Sequence, residues 1–291
     1  MNALIAKLWI ALIGATSDWA QASRTRLGHM LGDVLWWIVI PRRRITLTNL
    51  RVCFPQMPEE ERRRIARQCF RNIARSVLDH SVLWKGDRAR VAKYVRIEGL
   101  EYAVPSPQNR PLIMIAPHFA GLDAGGLGLS ISVAGMTVYS KQKNPVWDDW
   151  LYKVRERFGV VLVARQGADM RGVIRRVKEG LPLYYLPDMD LGETNSVFVP
   201  FFGVPAATIP MVSRIARMIG AKVVMAVTEM TDDGYVLHIT PPWTDFPGPS
   251  IEEDTARMNR ELERWVLKMP EQYLWTHKRF KTRPPGSAGI Y

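Results

Sequence analysis

His118 stands in the run Pro117-His118-Phe119-Ala120-Gly121-Leu122-Asp123, directly after the apolar stretch Leu112-Ile113-Met114-Ile115-Ala116. An imidazole titrates near neutral pH. It can take a proton from a hydroxyl or amine when a carboxylate holds its other ring nitrogen. Asp123, five residues on, is the candidate carboxylate. Within one regular helix that offset puts two side chains on diverging faces. Here His118 is expected to leave a strand and Asp123 to lie in the first turn of the next helix, with Gly121 letting the backbone fold back. With five histidines and 28 acidic residues in 291, one chance match to this spacing is close to even odds. The other four histidines fail it, because Val34, Lys85, Trp243 and Thr282 follow His29, His80, His238 and His277 at the same distance. A histidine that only caps the following helix is the competing reading, of equal weight on local grounds.

Three further groups could carry chemistry. Arg155 and Arg157 fall near the end of a helix opened by Asn144-Pro145. A guanidinium fork suits a phosphate, although the helix dipole alone also favours cations there. Asp188 and Asp190 directly follow the apolar run Leu183-Tyr184-Tyr185-Leu186. Two carboxylates at a strand end suit a metal, substrate positioning or a turn cap. The segment Phe198-Val199-Pro200-Phe201-Phe202-Gly203 is aromatic and not periodic. It could line an acyl-chain groove or be core, and the cost of an apolar loop in water favours the groove. No Walker loop, dinucleotide fingerprint, Gly-x-Ser-x-Gly elbow, zinc spacing or nucleic-acid module is present, so no cofactor, metal or nucleic-acid partner is expected.

The elements that must position these groups alternate. Short apolar runs at 112–116, 160–163, 183–186 and 223–227 read as buried strands. Helical stripes lie between them: Trp147, Leu151, Val154 and Phe158; Met170, Val173, Ile174 and Val177, ended by Gly180; Met211, Ile215, Met218 and Ile219, ended by Gly220. Residues 58–84 read as an amphipathic helix opened by Pro58 and three glutamates, with Ile65, Cys69, Ile73 and Val77 as its apolar stripe. Asp232-Asp233-Gly234 marks a turn into a last strand, 235–240, possible as an antiparallel partner, and a helix over 252–269 follows. The predicted fold class is α/β, a mostly parallel sheet flanked by helices, with an N-terminal apolar helical membrane anchor. Residues 1–40 form the anchoring segment and 41–291 one α/β domain.

The anchor rests on hydropathy and flanking charge. Residues 1–15 are mostly apolar, with Lys7 near the start and no clear cleavage site, which favours a retained anchor over a removed signal peptide. Asp18 interrupts the run short of the ~20 apolar residues of a secure spanning helix. A second run, Val34-Leu35-Trp36-Trp37-Ile38-Val39-Ile40, is closed by Pro41-Arg42-Arg43-Arg44. Adjacent tryptophans beside a cationic triplet suit a headgroup boundary, with the arginines on the cytoplasmic side. A buried helical hairpin is the competing reading. The net charge of +12 calls for an anionic client such as a membrane, an acidic protein or nucleic acid, or reflects a generally basic surface. Cys53 and Cys69 have neither metal nor disulfide-framework spacing, which fits a reducing compartment.

Taken in order, these motifs resemble the late acyltransferases of lipid A biosynthesis over nearly the whole chain. Arg42-Arg43-Arg44 with Asn49-Leu50-Arg51-Val52-Cys53-Phe54-Pro55 is similar to the segment after that family's anchor, and His118 to Asp123 to the His-x4-acid (HXXXXD) motif of the wider glycerolipid acyltransferase superfamily. Asn144-Pro145 with Arg155 resembles a second block, and Tyr184 to Gly192, Ser196 to Gly203 and Ala206-Ala207-Thr208 a third. Most specific is the end: Pro270 to Trp275, His277, and Arg279-Phe280-Lys281-Thr282-Arg283-Pro284-Pro285-Gly286. The acid is Asp123 where many lipid A enzymes carry Glu. The resemblance implies transfer of a fatty acyl chain from acyl–acyl carrier protein to a hydroxyl of a lipid A precursor at the cytoplasmic face of the bacterial inner membrane. His118 would be the base, and Asp123 would orient its imidazole and stabilise the charge that develops there. Arg155 would hold a phosphate or help stabilise the oxyanion, and Asp188 would be an active-site residue with no role assigned. The implied partners are acyl carrier protein, the anionic membrane and the phosphorylated glycolipid. A lysophospholipid, aminolipid or other glycolipid acceptor would need the same chemistry.

Overall fold

The computed structural model describes residues 3–107, 110–167 and 169–291, so the first two residues of the expected anchor lie outside the described residues. Its frame is a seven-stranded sheet made from β1 (Val95–Glu98), β2 (Leu112–Ile115), β3 (Met136–Tyr139), β4 (Val161–Ala164), β5 (Leu183–Tyr185), β8 (Lys222–Thr231) and β9 (Gly234–Ile239), in the order β1-β9-β8-β2-β5-β3-β4. Every neighbouring pair is parallel except β8 with β9, which the Asp232-Asp233-Gly234 turn joins as an antiparallel hairpin. Strand β2 is buried at all four positions, as a central parallel strand covered on both faces must be. The expected α/β class and mostly parallel sheet are therefore present. A separate hairpin, β6 (Val197–Phe201) with β7 (Val204–Thr208), turns at Phe202 and Gly203, both at positive φ.

Ten α-helices flank the strands among the described residues. Those that place the site are α4 (Glu59–Lys85), α6 (Leu122–Ser132) and α7 (Pro145–Glu156). Helix α7 starts where expected, because Asn144 caps it by accepting from the N–H groups of Val146 and Trp147. The final helix, α10 (Ile251–Lys268), is capped by Ser250. In the hairpin segment Phe198 to Gly203 the inward side chains Val199 and Phe201 join the core while Pro200 and Gly203 are exposed, and the Phe201 ring lies 4.9 Å from Phe202 and 6.0 Å from Tyr273.

The N-terminal expectation needs correction. No helix among the described residues is long and apolar enough to cross a membrane. The segment breaks into α1 (Ala3–Ala15) and α2 (Gln21–Ile38). Thirteen residues of helix span only about 20 Å, against a hydrocarbon core of about 30 Å. Helix α2 instead buries Arg24, Gly28, Gly32 and Trp36 against α4. A Cβ on Gly32 would lie 2.4 Å from the Arg71 backbone, so only glycine allows the two helices to come this close. Buried at the same contact, Asp79 takes Arg24 at 3.2 Å, Arg75 at 3.3 Å and the Tyr235 hydroxyl at 2.8 Å. The outer faces of both helices stay apolar and exposed: Leu8, Trp9 and Leu12 on α1, and Met30, Val34, Trp37 and Ile38 at the end of α2.

Candidate active site

The site forms where β2 and β5 end side by side. Their parallel register pairs Ile115 with Tyr185. Three residues beyond each partner stand His118 and Asp188, at the carboxyl edge of the sheet where open α/β folds collect ligands. The His118 Nδ1 lies 2.7 Å from Asp188 Oδ1, and the His118 backbone N–H donates to Asp188 Oδ2 at 2.9 Å. Two contacts to one carboxylate lock the ring. A carboxylate at Nδ1 assigns the proton to that nitrogen and leaves the Nε2 lone pair to accept another. Burial opposes a charge on the His118 ring. The Asp188 carboxylate outweighs it, with help from Asp123 and against Arg155, so the ring's pKa lies above the ordinary 6.5. Asp188 is itself buried, yet the His118 ring and backbone N–H hold its carboxyl well below the usual range.

Asp123 lies in the first turn of α6, as expected, but its geometry differs from the simple pair. It does not hold the His118 ring, whose Nδ1 is taken by Asp188, and its own oxygens face other partners. Arg155 of α7 grips it in a fork, Nε to Oδ1 at 2.8 Å and Nη2 to Oδ2 at 3.1 Å. Nε2 of His80 lies 3.3 Å from Oδ2. Asp123 acts on His118 through its charge. Burial raises its own pKa, and the Arg155 cation with His80 drives it far down. Gly121 serves close packing and not a left-handed turn: its φ is −85°, and an added Cβ would lie 2.8 Å from both Thr228 and Tyr235.

Sequence reasoning missed His80, which fails the five-residue spacing test and comes from α4. Its Nδ1 is 2.8 Å from the Ser76 carbonyl, so each ring nitrogen faces an acceptor. A signal existed in the sequence: Asn72, Arg75, Asp79 and His80 are buried polar residues on a helix whose stripe was read as apolar. The other candidates resolve to structure. Arg157 donates to the Leu83 and Gly86 carbonyls at the end of α4. Asp190 accepts from the Thr282 N–H at 2.7 Å and its hydroxyl at 2.8 Å.

The terminal motifs support the site from behind. The Ala120 N–H donates to the Gln272 carbonyl at 2.8 Å, and the Leu274 N–H to the His118 carbonyl at 2.9 Å. Asn49 donates to the carbonyls of Trp275 and His277, both at 2.8 Å, and so ties the first motif to the last. Arg279 is fully buried, bonded to the Ala207 carbonyl and Thr208 hydroxyl at 2.9 Å each. His277 is buried nearby, its pKa pushed down to about 4 by burial. A groove of about 510 Å³ lies between α1 and the start of α7, walled by Trp9, Ile13, Val77 and Trp147, and no residue of the His118 constellation lines it. Trp147 meets Trp150 at 4.8 Å, and Trp150 meets His80 at 5.7 Å, so one line of rings joins groove and site. The arrangement can take a proton at one nitrogen and hold the resulting imidazolium against a carboxylate.

Comparison with known proteins identifies the family. The sequence profile of the family described as bacterial lipid A biosynthesis acyltransferase matches residues 3–282. The chain is 34% identical to the lipid A biosynthesis lauroyltransferase of Escherichia coli (strain K12), covering 98% of this chain and 95% of that one. It is 31% identical to the palmitoleoyltransferase of the same organism, with 91% and 87% covered. With the myristoyltransferase the identity is 32%, with 86% and 78% covered. The chain therefore belongs to the bacterial lipid A biosynthesis acyltransferase family and is an acyltransferase.

Proposed function

We propose that the enzyme moves a fatty acyl chain from the thioester of acyl–acyl carrier protein to a hydroxyl on a 3-hydroxyacyl chain of a lipid A precursor, at the cytoplasmic face of the inner membrane. The observation that carries the chemistry is the His118 ring, held through Nδ1 by Asp188 with Nε2 left to act. Nε2 takes the hydroxyl proton as the oxygen attacks the thioester carbonyl. The C–S bond then breaks, and the imidazolium returns the proton to the leaving thiolate. Asp188 orients the base and stabilises its charge. Arg155 commits Nε and Nη2 to Asp123 and has Nη1 to offer to a substrate phosphate or to the oxyanion. Asp123 and His80 position that guanidinium. The groove beside Trp147 takes the acyl chain. A net charge of +12 favours both an acidic carrier protein and a phosphorylated lipid.

His118→Ala is expected to lower transfer by about a hundred- to ten-thousand-fold while the thermal midpoint stays near wild type. Mass spectrometry of lipids after deletion of the gene is expected to show lipid A lacking one secondary acyl chain. Intact lipid A with an altered phospholipid or aminolipid would move the acceptor to that class. Full activity in His118→Ala would remove the mechanism.

A further inference from the structure

A second cavity, about 700 Å³, lies between α3 (Ile40–Cys53), the end of α2 and the C-terminal tail. None of its lining residues belongs to the His118 constellation. Five cations from three distant stretches face it: Arg43, Arg44, Arg51, Arg63 and Lys278. Glu59 partly neutralises two of them, with a fork to Arg51 and a 3.4 Å contact to Arg63. Arg43, Arg44 and Lys278 have no carboxylate partner among the described residues. Arg43 is instead preset by aromatic contacts, its guanidinium 5.4 Å from Trp36 and 5.5 Å from Trp37, and by donation to the Trp36 carbonyl at 3.2 Å. The lining also has an apolar part, with Trp36, Trp37 and Ile290.

Two independent features point to an anionic amphiphile. First, α3 carries basic residues and no acid in its first turn, against the preference of the positive end of a helix dipole. An anion seated there would reverse that penalty. Second, the mouth opens onto exposed hydrocarbon. Trp37 both lines the cavity and is 68% exposed, and Ile38 beside it is 68% exposed. A free phosphate has no use for that wall. An acidic protein surface could meet the cations without entering a cavity.

We propose that this cavity binds the headgroup of one anionic glycerophospholipid, its phosphate against Arg43, Arg44 and Lys278 and its first methylenes against Trp37 and Ile290. This lipid is distinct from the one being acylated. It holds the end of α2 at the bilayer surface and so fixes how the catalytic edge is presented.

The test is titration calorimetry of the purified full chain with dihexanoyl phosphatidylglycerol below its micelle concentration. Dihexanoyl phosphatidylcholine and inorganic phosphate are the comparators. One-site saturable binding is expected for the anionic lipid, with both comparators much weaker. Combined Arg44→Gln and Lys278→Gln should weaken it by about thirty-fold, since each basic residue near an anionic surface contributes roughly a factor of five. Trp37→Ala, at a position folding leaves largely in solvent, should weaken it separately. Acyl transfer to a micellar acceptor should keep its wild-type KM in the Arg44/Lys278 double variant. Unchanged lipid affinity in both the double variant and Trp37→Ala overturns the proposal. So does inorganic phosphate binding as tightly as the lipid, which would exclude the apolar wall. A raised acceptor KM in the double variant would make the cavity part of the acylation site. Lost affinity for acyl carrier protein with intact lipid titration would assign the surface to that protein. Either result also overturns the proposal.

Discussion

The pKa of the His118 ring, raised by Asp188, has a signed consequence. A general base works only when neutral, so kcat/KM should rise with pH through an apparent value above the 6.5 of a free imidazole. In Asp188→Asn the burial that opposes charge is no longer outweighed by that carboxylate, and the acidic limb should move to lower pH while kcat falls. A pH–rate profile of the two proteins checks this, and an unmoved limb would mean that Asp188 does not set the base. The stability linkage runs the same way. The raised His118 contributes stability that is fully present below 6.5 and is lost as pH rises through its folded value. Asp123 and Asp188, both lowered, contribute stability present above 3.8 and lost as pH falls.

The contact between α2 and α4 sets the frame in which His80 reaches Asp123. Gly28 and Gly32 lie four residues apart on the face of α2 that meets the Arg75 and Arg71 backbones, where a Cβ would come within 2.7 and 2.4 Å. Gly32→Ala must therefore part the helices and is expected to cost about 1–3 kcal/mol. Urea unfolding followed by far-UV circular dichroism measures it, and an unshifted midpoint would show that the helices adjust freely. Much at this scale was readable in the chain itself. Asn144-Pro145 opened α7, Gly220 at φ 66° closed α9 (Met211–Ile219), and Asp232-Asp233-Gly234 turned β8 into β9. Helix α3 escaped because Pro41 and three arginines read as the end of an element, whereas Pro41 sits at its first turn. Strands β1 (Val95-Arg96-Ile97-Glu98) and β3 (Met136-Thr137-Val138-Tyr139) mix polar with apolar residues and form no continuous apolar run, so they did not stand out.

Over the whole molecule, a charge of +12 stands beside exposed apolar helix faces, and the membrane association proposed above draws on both. Lying along a bilayer interface needs only one apolar face per helix, which α1 and α2 keep although neither is long and apolar enough to span. Leu8→Glu with Leu12→Glu, at positions 58% and 52% exposed, should lower association with anionic vesicles by about ten-fold or more while leaving unfolding unchanged. Vesicle flotation measures it. Association of the wild type should persist in part at high salt, because screening weakens the charge contribution and not the apolar one. Undiminished flotation of the double variant would remove α1 from the membrane face.

Local spacing was enough for alternating elements, for helix ends, and for the place of His118 at a strand end, because caps, turns and periodicity act between residues close in the chain. It could not say which acid takes the His118 ring. Asp123 is five residues away, and Asp188 is seventy. The parallel pairing of β2 with β5 brings Asp188 to Nδ1, while the fork from Arg155 and the ring of His80 hold Asp123. Hydrogen bonds reach about 3 Å, so partnership depends on which chain ends the sheet sets side by side.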